Sequence, residues 1–200
     1  MLTAWHLLHS CHRTAPGETV IVHSAAGGVG IAAVQIAKAA GAKVIGTVSS
    51  DDKIGLVRKF GADEIINYAT LDFAAQAMRL TDGRGVDLIL DAIGKPTLAK
   101  GIECLAPFGH LIIYGRAGGI PSPVNPMSLF AKALKISGFA VPMVYGMHEI
   151  HRRGLDDVFR LARENKLKVP IGRRFALADA AEAVRFLESR QSTGKLLLLP

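Results

Sequence analysis

Residues 20–22 are Val-Ile-Val, and they run through His23-Ser24-Ala25-Ala26 into Gly27-Gly28-Val29-Gly30 and a helical pattern over residues 31–38. Three β-branched residues in a row suit a central parallel strand buried on both faces. Gly27, Gly28 and Gly30 remove side chains where the backbone must approach a ligand or pack helix against strand. The helix that follows directs unpaired N–H groups and its positive dipole end back at the turn. Strand, glycine turn and helix start together can hold the pyrophosphate of a dinucleotide. In the frame Ala25-Ala26-Gly27-Gly28-Val29-Gly30, alanine stands where G-x-G-x-x-G has its first glycine. Taken alone, the turn also fits a strand-to-helix junction with no ligand.

The rest of the chain repeats this alternation. A helix is expected over residues 2–12, then strand 19–23, helix 29–39 ended by Gly41, and strand 43–48. Ser50 or Asp51 can cap a short helix to Phe60, stopped by Gly61. Strand 64–67, helix 73–80 and strand 86–91 follow, then a helix opened by Pro96 and running through Leu105. Strand 110–114, a Gly/Pro-rich stretch, helix 127–133 and strand 134–139 complete the series. Such alternation predicts an α/β, doubly wound parallel six-stranded sheet of Rossmann type, order 3-2-1-4-5-6, with its crevice at the carboxyl ends of strands 1 and 4. Residues 1–147 read as the NAD(P)-binding domain. Residues 148–200 read as a C-terminal helix and strand tail, whose run Leu196-Leu197-Leu198-Leu199 should be buried on both faces or pair with something absent.

Composition narrows the class. Two hundred residues, half of them apolar, suffice for a sizeable core. No apolar run reaches the ~20 residues that span a bilayer, and the N-terminal segment has no basic leader or cleavage site, so a cytoplasmic protein without membrane association is expected. Cys11 and Cys104 are too few for a disulfide framework and read as buried thiols. His6, His9 and His12 recur every three residues, which fits the polar stripe of an amphipathic helix better than a metal site, and no metal is expected. The net charge of +7 is lopsided, with ten Lys/Arg against nine Asp/Glu in residues 1–100 and fourteen against eight in 101–200. The basic excess has acidic neighbours and no interleaved aromatics, so it reads as a solvated helix face and not as a nucleic-acid surface.

Past the second strand the chain offers Ser49, Ser50 and, a turn later, Lys53. Hydroxyls and a cation suit a ribose 2′-phosphate, which a carboxylate would repel. Asp51 and Asp52 pull the other way, but as first-turn residues they have a structural role. The balance favours NADPH over NADH. Tyr68, Tyr114 and Tyr145 are followed four places on by Asp72, Gly118 and Glu149, which excludes the Tyr-x-x-x-Lys of short-chain dehydrogenases. A P-loop and a Gly-x-Ser-x-Gly elbow are both missing.

Leu2-Thr3-Ala4-Trp5, the Ala25 turn, Gln35, Gly46-Thr47, Gly61-Ala62-Asp63, Ile66-Asn67-Tyr68, Asp82-Gly83, Asp91-Ala92-Ile93-Gly94 and Leu187-Glu188-Ser189-Arg190 occur in an ordered set. In this the chain resembles the quinone oxidoreductase (zeta-crystallin-like) branch of the medium-chain dehydrogenase/reductase superfamily, where the alanine at the first glycine position is itself typical. The resemblance implies that Gly28 and Val29 face the pyrophosphate, and Gly27 and Gly30 of the same turn are further candidate cofactor-binding residues. It implies that Ser49, Lys53, Tyr68 and Arg190 surround the 2′-phosphate, and Ser50 next to Ser49 is a further candidate cofactor-binding residue. Ala92, Tyr114 and Gly115 would line the path to the nicotinamide, with Thr3 and His6 nearby. It further implies zinc-independent chemistry and a GroES-like β-rich domain forming the other wall of the substrate cleft, a domain this sequence does not contain. The residues 148–200 would pack on that domain, leaving an apolar surface here.

Two readings follow. One is an NADPH-dependent oxidoreductase reducing a quinone or enone by hydride transfer, with this chain as its cofactor-binding part or a truncated form. The other is a non-catalytic NADPH-binding module, or a protein that works through a partner. The catalytic residues are not identified by the sequence. Strand 134–139 has the character of an exposed edge, and the resemblance implies a homodimer paired through it.

Overall fold

The computed structural model describes residues 1–189 and 191–200. Six strands form one parallel sheet in the order β3-β2-β1-β4-β5-β6. They are β1 (Thr19–Val22), β2 (Lys43–Val48), β3 (Glu64–Asn67), β4 (Val86–Asp91), β5 (Leu105–Ile113) and β6 (Lys135–Gly138). The expected strand order holds. Both faces are apolar because successive strand residues point opposite ways. Val20, Val22, Val44, Leu88, Leu90 and Ile112 enter one buried cluster. Their chain neighbours Ile21, Ile45, Ile89 and Leu111 enter the other. Each fully buried residue of this size contributes roughly 1.5–3 kcal/mol.

On the first face lie α1 (Leu2–His6), its π-helical continuation Leu7–Cys11, α2 (Gly28–Ala39) and α3 (Ile54–Lys59). On the second lie α4 (Phe73–Leu80) and α5 (Leu98–Glu103). Asp72 caps α4 by accepting from the Ala74 and Ala75 amides at 2.9 and 3.1 Å. Gly41 and Gly61 end α2 and α3 at φ +83 and +103, a conformation only glycine takes without strain.

The expected elements differ in four places. The polar stripe expected of His6, His9 and His12 does not hold at His6, which is wholly buried between Trp5 and Phe139. The helix expected through Leu105 stops at Glu103, and β5 begins at Leu105. Leu105 pairs with Val86, the chain then bulges, and His110 to Ile113 pair with Leu88 to Asp91. Phe108 at φ +64 makes the bulge possible, and Gly109 leaves room for the Ala106 carbonyl, which a Cβ there would meet at 2.8 Å. The helix expected at 127–133 is a 3-10 turn, Pro126–Lys132, with no buried residue to support a longer one. Finally, 196–199 is neither doubly buried nor unpaired: β8 (Lys195–Leu199) pairs in parallel with β7 (Ile171–Ala176), and Leu198 and Leu199 stay 45% and 43% exposed.

The tail consists of α6 (His148–Arg163), β7, α7 (Ala180–Glu188) and β8. It is tied to the first face of the sheet at three points. Gly154 lets α6 approach Trp5, whose ring lies 2.9 Å from where a Cβ would be, and the Trp5 indole donates to Asp157 at 3.2 Å. Gln35 on α2 reads both backbone groups of Lys168, accepting from its amide at 2.8 Å and donating to its carbonyl at 3.0 Å. Gly194 donates to the Ala26 carbonyl at 2.8 Å. No described helix is long and apolar enough to cross a membrane.

Gln35→Ala leaves the Lys168 amide and carbonyl without these partners. It is expected to cost about 1–3 kcal/mol in urea unfolding and to speed proteolysis between residues 163 and 171. Unchanged proteolysis in that segment would show that Gln35 does not hold the tail.

Candidate cofactor site

Beyond β1 the chain turns tightly toward α2. Ser24 takes φ +52, the Gly27 amide donates to the Ser24 carbonyl at 2.9 Å, and the Ala25 amide donates to the Thr47 carbonyl at 3.0 Å. Gly30 is the position with least freedom, because a Cβ there would lie 2.3 Å from the Ser24 carbonyl oxygen. Ala25 at the first glycine position is accommodated by the neighbouring strand. A Cβ at Gly46 would come within 3.0 Å of the Ala25 Cβ, so the methyl group occupies space that β2 leaves open. Gly27 is the N-cap of α2 and carries no capping side chain. Gly27 also forms a parallel bridge with Gly194, which sets the Gly28 amide toward the Gly194 carbonyl, so the first-turn N–H groups of Val29 and Gly30 are those best placed for an anion, where the helix dipole also favours one.

A cavity of about 150 Å³ opens over this turn, at the carboxyl ends of the strands. Ser24, Ala26 and Gly27 form its floor. Its polar end, at the tips of β2 and β3, is made by Thr47, Ser49, Lys53 and Tyr68. Lys53 is only 7% exposed, and its amine donates to the Ser49 hydroxyl at 3.0 Å. Asp51 faces Asn67, whose amide donates to it at 2.8 Å, and among the described residues no carboxylate lines the cavity. Its apolar end, past β4 and β5, is made by Ile93 and Ala117. Ser192 closes the side.

Of the residues expected from the sequence, Gly27, Ser49, Lys53 and Tyr68 meet in this cavity. Ser50 stands beside it in extended backbone, outside the lining. Gly28, Val29 and Gly30 sit in the first turn of α2 beneath it. Ala92 and Gly115 lie against each other, a Cβ at Gly115 meeting the Ala92 carbonyl at 2.7 Å. Tyr114 follows β5, and burial, with the Asp91 charge added, drives its phenol far above the ordinary range. Thr3 belongs to the first turn of α1 and is not part of the cavity wall. The Arg190 expectation lies outside the described residues. Ser24, Ala26, Thr47, Val48, Ile93, Ala117 and Ser192 line the cavity without having been among the candidate site residues. Ser192 had no local signal, since it reaches the turn only through the Gly194 contact with Ala26.

Beneath the turn, His23 is fully buried. Its Nδ1 lies 2.8 Å from the Thr47 hydroxyl, its ring meets Phe73 edge-on, and its Nε2 has no partner among the described residues. A second proton would sit in apolar surroundings, so burial lowers its pKa to about 4 against the opposing pull of Asp91. His110 on β5 is likewise lowered to about 4, mainly by burial.

The zinc-binding dehydrogenase family model matches residues 28–156. The chain belongs to that family. A 2-haloacrylate reductase from Burkholderia sp is 36% identical over 203 residues, covering all of this chain and 60% of that protein. A quinone oxidoreductase from Pseudomonas aeruginosa is 38% identical over 203 residues, covering all of this chain and 62% of that protein. The crystal structure of Escherichia coli quinone oxidoreductase complexed with NADPH superimposes with a TM-score of 0.93 at 33% identity, again over the whole chain and 62% of that one. The chain thus spans about three fifths of the length of the curated relatives it matches. The family description names zinc, but no three or more His, Cys, Asp or Glu converge among the described residues. Cys104 is a core residue, its thiol pushed up to about 12 by burial. These residues do not fit a zinc site.

The two buried histidines set a direction for stability. Their folded pKa values lie below the unfolded value of 6.5, so between about pH 6.5 and 4 the unfolded chain binds the extra protons. Stability should be complete above pH 6.5 and decline as the pH falls toward 4, read as a falling urea midpoint. A flat midpoint across that window would contradict the burial assigned to His23 and His110.

Proposed function

We propose that this chain is the NADPH-binding part of an oxidoreductase that passes hydride to a quinone or another activated alkene. The observation that carries the reading is the cavity over the glycine turn, with Lys53, Ser49 and Tyr68 at one end and no carboxylate among its described lining. A 2′-phosphate would sit against the buried Lys53 amine, and the pyrophosphate against the first turn of α2. The dinucleotide would then run from the β2–β3 side toward Ile93 and Ala117, where the nicotinamide meets an apolar wall. NADPH when bound supplies the hydride. The protein's part is to hold the ring in place and exclude water. The relatives support this reading, since they include quinone oxidoreductases, one of them complexed with NADPH, and a 2-haloacrylate reductase whose name implies an activated alkene.

We assign residues 1–147 to cofactor binding and 148–200 to a tail that in the complete enzyme meets a further domain. Leu177, Val184, Leu187, Leu198 and Leu199 are exposed on that tail and suit such a contact. β6 is an open sheet edge flanked by exposed Met127 and Phe130, which suits pairing with a second copy. The free thiols Cys11 and Cys104 suit the reducing cytoplasm. A binding module without turnover is the second reading.

Titration of NADPH and NADH, followed by tryptophan fluorescence, tests the assignment. NADPH should bind about tenfold or more tightly than NADH, and Lys53→Glu should abolish that preference while changing NADH affinity about twofold. Equal loss for both cofactors would remove the 2′-phosphate from Lys53. Binding without quinone reduction would favour the second reading.

A further inference from the structure

Asp91 ends β4 at the centre of the sheet and is completely buried. Its carboxylate accepts from the Ile93 amide at 2.7 Å and the Gly94 amide at 3.0 Å. It also accepts the Thr97 hydroxyl, which lies 2.9 and 2.8 Å from its two oxygens. Taking a carboxylate out of water is costly, and here hydrogen-bond donors from a single turn offset that cost. The turn so held is then joined to the next loop. The Ala117 amide donates to the Ala92 carbonyl at 3.1 Å, the Gly118 amide to the Ile93 carbonyl at 2.8 Å, and the Lys95 amide to the Gly119 carbonyl at 3.1 Å. Gly94 takes φ +88, and a Cβ there would strike the Gly119 carbonyl at 2.7 Å. Ile93 and Ala117, the apolar end of the cavity, thus hang on one carboxylate beneath the surface.

We propose that Asp91, with Thr97, is a positioning residue for the nicotinamide half of the cofactor. It acts through the 92–97 turn and touches neither cofactor nor acceptor itself. A hydrophobic residue of similar shape would pack in the same space but could not gather the Ile93 and Gly94 amides. The wall would then relax although the sheet beneath it stood. This rests on the cofactor reading above. It adds that the two halves of the dinucleotide are held by separable devices, Lys53 and Ser49 for one and the Asp91 turn for the other.

The test compares NADPH with 2′,5′-ADP, which carries the 2′-phosphate but no nicotinamide, on the full chain and on Asp91→Ala, Thr97→Val and Asp91→Asn. Asp91→Ala and Thr97→Val should weaken NADPH about tenfold and leave 2′,5′-ADP within about twofold, as expected for loss of a charge-assisted hydrogen bond near one end of the ligand. Asn keeps a carbonyl acceptor for the two amides, so Asp91→Asn should recover most of the affinity. Should Asp91→Ala fail to fold, Thr97→Val and Asp91→Asn carry the comparison. Parallel loss of both ligands, or NADPH binding unchanged in every variant, would overturn the positioning role while leaving the cofactor reading intact. A wild-type chain that binds neither ligand would overturn the cofactor reading itself, and this inference with it.

Discussion

The closeness of α2 to the turn that introduces it is the constraint on which the rest of this molecule depends. With 2.3 Å between a hypothetical Gly30 Cβ and the Ser24 carbonyl, no side chain can stand between helix and strand end. That approach fixes where the helix begins, and so where its unpaired amides point. It also fixes the distance between α2 and β2, which Ala25 and Gly46 fill jointly, one supplying the methyl group the other lacks. A glycine fingerprint is therefore a statement about two strands and a helix together. Read on one strand alone, Ala25 is a defect. Read with Gly46, it is half of a packed pair.

The second organising principle is that most of the buried polar groups of the sheet lie toward the carboxyl ends of the strands. Thr47, His23, Asp91 and Thr97 are buried at the ends of β2, β1 and β4 or just beyond, whereas the strand interiors are mainly apolar, with Thr19 at the start of β1 and His110 within β5 as exceptions. The interior supplies stability through apolar burial on both faces, and the ends supply direction through hydrogen bonds. His23 stays neutral because its surroundings offer no acceptor for a second proton, whereas Asp91 has donors from its own turn. The same burial thus suits an acceptor that meets donors in its own turn and refuses a second proton on the imidazole.

The central elements were legible because their signals are local. Valine and isoleucine in short runs, glycines at φ +83 and +103, and Asp72 before α4 each act within a few residues. Strand order followed from chain direction and crossover handedness. The errors arose where distant contacts overrode local pattern. His6 reads as a surface residue at its spacing and is buried by Trp5 and Phe139, the latter 133 positions away in sequence. The bulge in β5 depends on strand pairing across from Gly85, which periodicity does not register. In the cavity Gly27, Ser49, Lys53 and Tyr68 are the residues that the sequence pointed to, whereas Ser192 and Ala117 come from loops whose sequence gives no reason to look there.

The hydrogen bond from Gly194 to Ala26 also bears on the order in which the molecule is made. All six strands of the main sheet are complete by Gly138, so a chain leaving the ribosome can fold its core before β7 and β8 exist. The side wall at Ser192 comes from 166 residues beyond Ala26, against a turn translated long before. Such a contact forms late, because a long loop must close before it is rewarded. The side of the cleft is therefore finished after the sheet, and a chain cut before Ser192 would keep the sheet and lose that side of the cleft.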